Sequence, residues 1–332
     1  MSRRRRKKNI DGNKILTIAK VLGAILVGLL IFLFLTGLLQ PKYYFSTEAA
    51  SPETEMWKSF YSQEKNSMDI VFLGSSHVYN AINPVQFEEE TALSGFDLST
   101  SNQDLSISYY LMKELLRYQS PKYIVMDVYG FELEPYEKTS SYKRTFDDMK
   151  WSSVKMSAIL DWLPHMEGES LMPRIFTLLD YHSRWDELTD ADLNGKKYET
   201  TEKGYCPYEG SEKGESIDYS GIDGTDETLM ELSQEELSYF YKIVHLCEKN
   251  NIQLILIKTP DSVWTEGKHQ AISNLAAAMK LTFIDYNKNA EITDLCLDAS
   301  SDWRNSRHLN SNGAAKFTAA LAEDIKKQIE SE

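Results

Sequence analysis

Two short stretches carry residue types able to do nucleophilic chemistry. The first is Leu73-Gly74-Ser75-Ser76-His77, directly after the apolar run Asp69–Leu73. Glycine permits a tight turn there. The serines then emerge at the carboxyl end of a strand, where backbone N–H groups can stabilise an oxyanion. The second runs from Asp302 through Trp303, Arg304, Asn305, Ser306, Arg307 and His308 to Asn310, followed by Gly313-Ala314-Ala315-Lys316-Phe317. A histidine with acid and amide residues just upstream is a general base with its orienting partners. Each stretch alone has a plainer reading: Gly-Ser-Ser-His as a simple turn, His308 as a residue at a helix start. The six histidines are scattered, and Cys206, Cys247 and Cys296 fall in no Cys-x-x-Cys spacing. Neither a metal, another cofactor nor a disulfide framework is therefore expected.

The elements that must hold these stretches follow from periodicity. Asp69–Leu73, Phe96–Leu98, Tyr123–Val128, Ile252–Ile257 and Leu281–Ile284 are short apolar, β-branched runs that read as buried strands. Between them lie helical patterns at Pro84–Leu93, Asp104–Tyr118, Ser233–Lys249 and Lys268–Lys280, with a closing helix at Asn312–Ile329. Asn83 precedes Pro84 as an N-cap, and Ser233 with Glu236 makes a capping box. Strands alternating with helices imply right-handed crossovers and a mostly parallel sheet covered on both faces, with active groups at the carboxyl ends of strands. Residues 131–230 break the rhythm. They are rich in Tyr, Trp, Glu and Lys and read as a long insertion over the sheet's top edge. It either shapes a substrate site or forms a solvated, partly helical cap.

Charge is distributed unevenly. Residues 1–20 carry eight Lys/Arg and one acid, a head of +7 on a chain whose net charge is −14, so the remainder carries −21. A body this acidic argues against a nucleic-acid binder working through phosphate contacts. Val21–Leu39 has 19 residues without a charge, roughly 28 Å of helix, enough to cross the hydrocarbon of a bilayer. The Arg3–Lys8 cluster just before it places the N-terminus in the cytoplasm and everything after Gln40 outside, as a single-pass membrane protein. A cleaved signal peptide has a shorter apolar core and a small-residue cleavage site, which Gln40-Pro41-Lys42-Tyr43 does not supply. The expected organisation is a basic cytoplasmic segment (1–20), a transmembrane anchor (21–39), a stalk with a short helix (40–67) and an α/β domain (68–330) interrupted at about 131–230.

The paired motifs, in this order and at these ends of a parallel sheet, resemble the SGNH (GDSL-type) hydrolase superfamily. The similarity is strongest to its membrane-anchored, extracytoplasmic branch around the DltD-like teichoic-acid D-alanylation and the alginate O-acetylation proteins. It covers roughly residues 68–130 and 233–330. It implies a three-layer α/β/α sandwich with a mostly parallel, flavodoxin-like sheet, preceded by one transmembrane helix. It also implies Ser76 as nucleophile and His308 as general base. Ser75 stands where most of the superfamily has Asp. The family's second-block glycine is absent from Ser99-Thr100-Ser101-Asn102-Gln103, so an oxyanion donor is expected from backbone near Ser101 or Asn102. No Gly-x-Asn-Asp block follows the third strand, where Val128-Tyr129-Gly130-Phe131-Glu132 stands. The family's acid three residues before the histidine is here Asn305. Asp302, six residues before it, carries the missing charge and is expected to assist His308 while Asn305 orients it. The alternative for Asp302 is a cap on the preceding turn. His77 is expected at the pocket mouth or on backbone rather than as the base.

The function implied is a serine esterase or O-acyltransferase acting outside the cell on O-acyl groups of an envelope polysaccharide, polyol or teichoic acid. A membrane-bound O-acyltransferase is an expected partner. The alternative is a non-catalytic envelope protein on a degenerate SGNH fold, binding glycan or a membrane partner.

Overall fold

The computed structural model describes residues 12–42, 52–189, 192–193, 203–212, 228–287 and 294–330. Five parallel strands form one sheet: β1 (Ile70–Leu73), β2 (Gly95–Asp97), β3 (Tyr123–Asp127), β4 (Gln253–Lys258) and β5 (Thr282–Asp285), in the order β2-β1-β3-β4-β5. Register is continuous across the centre, with Val71 beside Ile124 and Ile124 beside Leu254. Alternate strand residues face opposite sides. Val71, Leu73, Ile124, Met126, Leu254 and Leu256 build one core with the helices Leu105–Leu115 and Gln234–Lys249. Ile70, Phe72, Val125, Ile255 and Ile257 build the other with Phe87, Phe317 and Leu321. The fold is therefore a doubly covered parallel α/β sandwich, as expected. The strand order reverses between β1 and β3, the point at which such sheets open a crevice at their strand ends.

The expected caps form. Asn83 accepts from the N–H groups of Val85 and Gln86, and Ser233 and Glu236 exchange both bonds of a capping box. The expected stalk is corrected over its described part. The helix α2 (Pro52–Ser62) buries Met56, Trp57 and Phe60 in the first core, and the Trp57 indole donates to the Thr145 carbonyl at 2.6 Å. Inside the insertion, the helices Thr139–Phe146 and Ser153–Trp162 are likewise core: Tyr142, Phe146 and Trp162 are buried. These aromatics fill volume and are unavailable to stack on a ligand.

One helix, α1 (Gly12–Leu39), stands apart from the sheet, and Asn13–Leu39 is long and apolar enough to cross a membrane. Among the described residues, only its last two turns are covered by the rest of the chain.

Candidate active site

Gly74 ends β1, and a six-residue helix, Ser76–Ala81, begins two residues later. A methyl at Gly74 would collide with Val78 and crowd Asp127, so the turn needs glycine for close approach rather than for an unusual φ. The two serines diverge. Ser75 is fully buried and caps the short helix through the His77 N–H. Ser76 is half-buried, and its Oγ lies 2.8 Å from His308 Nε2.

His308 reaches this point from a small antiparallel hairpin, Trp303–Asn305 with His308–Leu309, that the sequence pattern did not disclose. Behind the hairpin Asn310 pins it. Its amide donates to the Ser301 and Gly210 carbonyls, and its oxygen accepts from the N–H groups of Asn312 and Gly313 at the start of the last helix, Ser311–Glu330. A methyl at Gly313 would strike the Asp302 carbonyl. The Asn-x-x-Gly spacing is thus the means by which the hairpin and the last helix close on each other.

Asn305 Oδ1 accepts three N–H bonds: from Arg307 N at 3.0 Å, His308 N at 3.1 Å and His308 Nδ1 at 2.9 Å. Two backbone donors leave no choice about which end of the amide faces the imidazole. Nδ1 must then carry the proton, and the Nε2 lone pair faces the Ser76 hydroxyl. Burial, then the neighbouring His77 and Arg304, pull the His308 pKa down to about 3, so the ring is neutral at neutral pH. The other side of the Asn305 amide donates to Glu212 Oε2 at 3.1 Å. Glu212 is itself held by Arg304, with Nε to Oε1 at 2.8 Å and its own N–H on the Arg304 carbonyl at 2.7 Å.

Asp302 does not reach the imidazole. Its carboxylate accepts from Lys316 Nζ at 2.7 Å and from the Asp298 N–H at 2.6 Å, tying the preceding turn to the last helix. A helix-bound lysine satisfies the charge, and the three residues after Asp302, Trp303–Asn305, run as strand, which carries the carboxylate away from the hairpin's turn. The oxyanion expectation is also corrected at Ser101. Its N–H donates to Glu53 Oε1 at 2.8 Å, from a helix outside the sheet, and its hydroxyl pairs with Tyr79 Oη at 3.0 Å. Asn102 turns the loop in the left-handed region (φ 49°), with its amide oxygen 3.5 Å from Lys138 Nζ.

His77 is buried rather than at the pocket mouth. Its ring lies 4.7 Å from that of His308 and 4.0 Å from that of Tyr129. Nδ1 meets Ser75 Oγ at 3.1 Å, and Nε2 faces Asp261 Oδ2 at 3.5 Å. Asp261 pairs with Lys258 at 3.2 Å, both fully buried. Burial works against both charges, yet each holds the other ionised: the carboxyl lies well below its usual range and the ammonium is raised. Burial and Lys258 push the His77 pKa down, so a neutral ring lies beneath His308. The sequence signal for this layer was a lysine ending an apolar strand run, with an acid three residues on.

No family model matches the chain, and no curated protein sequence matches it. Among solved structures it is similar to a protein described as an acylhydrolase from Bacteroides fragilis (11% identity, TM-score 0.38, covering 82% of this chain and 94% of that one). It is also similar to a GDSL-like lipase from Bacteroides thetaiotaomicron (12% identity, TM-score 0.37, covering 83% of this chain and 98% of that one). Overlap this loose says nothing about the chain's own chemistry.

Proposed function

We propose that this chain is a membrane-anchored serine esterase or O-acyltransferase whose α/β domain works outside the cytoplasm on O-acyl groups of an envelope polysaccharide or teichoic acid. One observation carries the chemistry: Ser76 Oγ lies 2.8 Å from the unprotonated nitrogen of a histidine whose tautomer is fixed from behind by Asn305. Ser76 Oγ attacks the ester carbonyl while His308 Nε2 takes its proton. His308 then returns that proton to the departing alkoxide, leaving an acyl-serine. The backbone N–H of Ser76, in the first turn of its helix, has no intrahelical acceptor and helps hold the oxyanion. Water as second nucleophile makes an esterase, and a glycan or polyol hydroxyl makes a transferase. The basic head before a single apolar run supports the orientation, and a membrane-bound O-acyltransferase that supplies acyl groups fits it as partner.

The test is covalent. A fluorophosphonate probe applied to the full chain in native membranes labels the wild type, and Ser76→Ala abolishes labelling while the protein remains folded. Protease added to intact cells digests the domain if the orientation is right. A second reading, a non-catalytic envelope binder, draws on one observation: the Ser101 N–H expected at the oxyanion is already taken by Glu53. Absence of labelling in folded wild type decides for it.

A further inference from the structure

The insertion contains a segment built the wrong way round for water. Two short helices, Leu171–Ile175 and Leu178–Tyr181, follow one another at residues 171–181. Met172 on the first, Phe176 at the break between them and Leu179 on the second make up an outward apolar face. In a soluble protein that face packs inward and the charges face out. Here the reverse holds. Met172, Phe176 and Leu179 are 52%, 41% and 47% exposed, whereas Arg174 is 2% exposed. Arg174 is held inside by Asp180, by Glu169 at 3.4 Å and by Asp147 at 3.8 Å, and Lys143 bridges Glu169 and Asp180. Ionisable groups turned into the protein with apolar side chains turned out is the arrangement that hydrocarbon surroundings select.

The outward face is continuous with the apolar helix α1. The Phe176 ring meets Phe32 edge-on at 5.9 Å between centroids. Phe32 lies seven residues before the end of α1, roughly 10 Å along the helix axis. The end of α1 is clamped to the same region. Arg184 Nη1 donates to the Leu39 carbonyl at 2.6 Å, Gln40 Nε2 to Asp148 at 2.7 Å, and Thr177 Oγ1 to Gln40 Oε1 at 3.2 Å. The anchor and the insertion therefore share one geometry, with Phe176 below the level at which the apolar run ends. Trp185, 71% exposed, sits one residue from the arginine that grips Leu39, the depth at which tryptophans collect at membrane–water boundaries.

We propose that the Met172–Phe176–Leu179 face is embedded in the lipid leaflet on the domain's side, beside α1, with Trp185 at headgroup depth. The occupant is lipid acyl chain. The proposal rests on α1 spanning the membrane. Its consequence is that the insertion fixes the domain's height and tilt, so Ser76 works at a set distance from the bilayer and not at the end of a loose tether.

The full chain is reconstituted in phosphatidylcholine–phosphatidylglycerol nanodiscs on a Cys296→Ser background, the other two cysteines being buried. An environment-sensitive NBD label is placed, one at a time, at Leu179→Cys, Met172→Cys, Leu26→Cys in α1, and Lys326→Cys on the exposed side of the last helix. The expected result is that labels at 179 and 172 behave like that at 26. They are quenched by doxyl-labelled lipid and are several-fold less accessible to iodide than the label at 326. If 179 and 172 are as open to iodide as 326 while 26 remains lipid-quenched, the embedded face is overturned and the anchor stands. Shielding of 179 and 172 from both quenchers means protein covers them, which also overturns it. Iodide access at 26 removes the anchor itself and the inference with it.

Discussion

Two buried ion-pair clusters, one beneath His308 and one in the insertion, differ in a way that separates two reasons for burying charge. Beneath His308, Lys258 and Asp261 lie at the carboxyl end of a central strand, where Asp261 faces His77 and the His77 ring lies against that of His308. In the insertion, Arg174 and its acids lie under a surface whose outward side chains are apolar. The first pair is enclosed because a parallel sheet leaves polar groups at its strand ends facing protein. The second is enclosed because of what lies outside it. Pairing costs desolvation in either place, so charge alone does not distinguish a working site from a scaffold. What distinguishes them is the half-buried Ser76 hydroxyl against His308 at the first and the exposed apolar face at the second.

The largest effect that would break this comparison is at Ser76. Ser76→Ala is expected to lower ester turnover by about 10⁴-fold or more, with the unfolding midpoint in urea unchanged because its hydroxyl faces His308 and a half-open surface. Ser75→Ala is expected to keep measurable turnover and to lose stability, since Ser75 caps its helix in a fully buried position. Equal turnover in wild type and Ser76→Ala would end the reading of this region as a site.

Acid dependence sharpens the same region. A histidine of ordinary pKa is about 30-fold depleted in neutral form at pH 5. His308 is pulled to about 3 by burial and by His77 and Arg304, so the base is present throughout that range. The rate of fluorophosphonate labelling at pH 5 is expected to match that at pH 7, with the acid limb lying nearer pH 3. The linked stability runs the same way. A histidine depressed in the folded state binds its proton later than in the unfolded chain, so its contribution is complete above about pH 6.5 and is lost as pH falls toward 3. A labelling midpoint near 6.5 would show that the site is wetter than its packing implies.

Asp302 tests the boundary between site and scaffold. With its carboxylate on Lys316 and the Asp298 N–H, Asp302→Asn is expected to destabilise by about 1–3 kcal/mol in urea titrations, discounted because Lys316 is partly exposed. The labelling rate per folded molecule should not change. A loss of rate at full stability would return Asp302 to the imidazole.

Much of this architecture was legible because it is local. Each strand of the parallel sheet announced itself as an apolar run cut short by a turn, and Asn83-Pro84 and Ser233 with Glu236 marked helix starts that the structure shows. Ser76 and His308 were legible as residue types at strand and helix ends, though nothing local says they meet across 232 positions. What escaped was the contact made by distant side chains on one group: Glu53 on the Ser101 N–H, Asp261 under His77, and Glu212 against Asn305. Met172, Phe176 and Leu179 were in the sequence, but apolar residues along a broken helical stretch do not say on which side water lies.

The smallest expected effect concerns the charge that Asn305 lacks. In the serine-protease template, replacing the acid by Asn costs about 10⁴ because the amide selects the wrong tautomer. That penalty does not apply here, since the N–H groups of Arg307 and His308 hold the amide oxygen toward Nδ1. The remaining deficit is the stabilisation of imidazolium by a nearby negative charge. Glu212 carries one, a single hydrogen bond further out, through the Asn305 amide. It is 40% exposed on its side chain, so solvent screens it and its effect is modest. Asn305→Asp alone therefore does not simply restore a triad: it sets a second carboxylate against Glu212, whose repulsion offsets what the new charge contributes. Glu212→Gln alone is expected to slow labelling about 3-fold, the scale of one partly screened charge-assisted bond. The double change, Asn305→Asp with Glu212→Gln, moves the charge inward one position and lets the glutamine amide donate to the new carboxylate. Its rate is expected to exceed both singles, reaching about 10-fold above wild type, within the range of a well-placed acid–base partner. If Asn305→Asp alone gains as much as the double, Glu212 has no electrostatic hold on the site, and the insertion contributes only structure there.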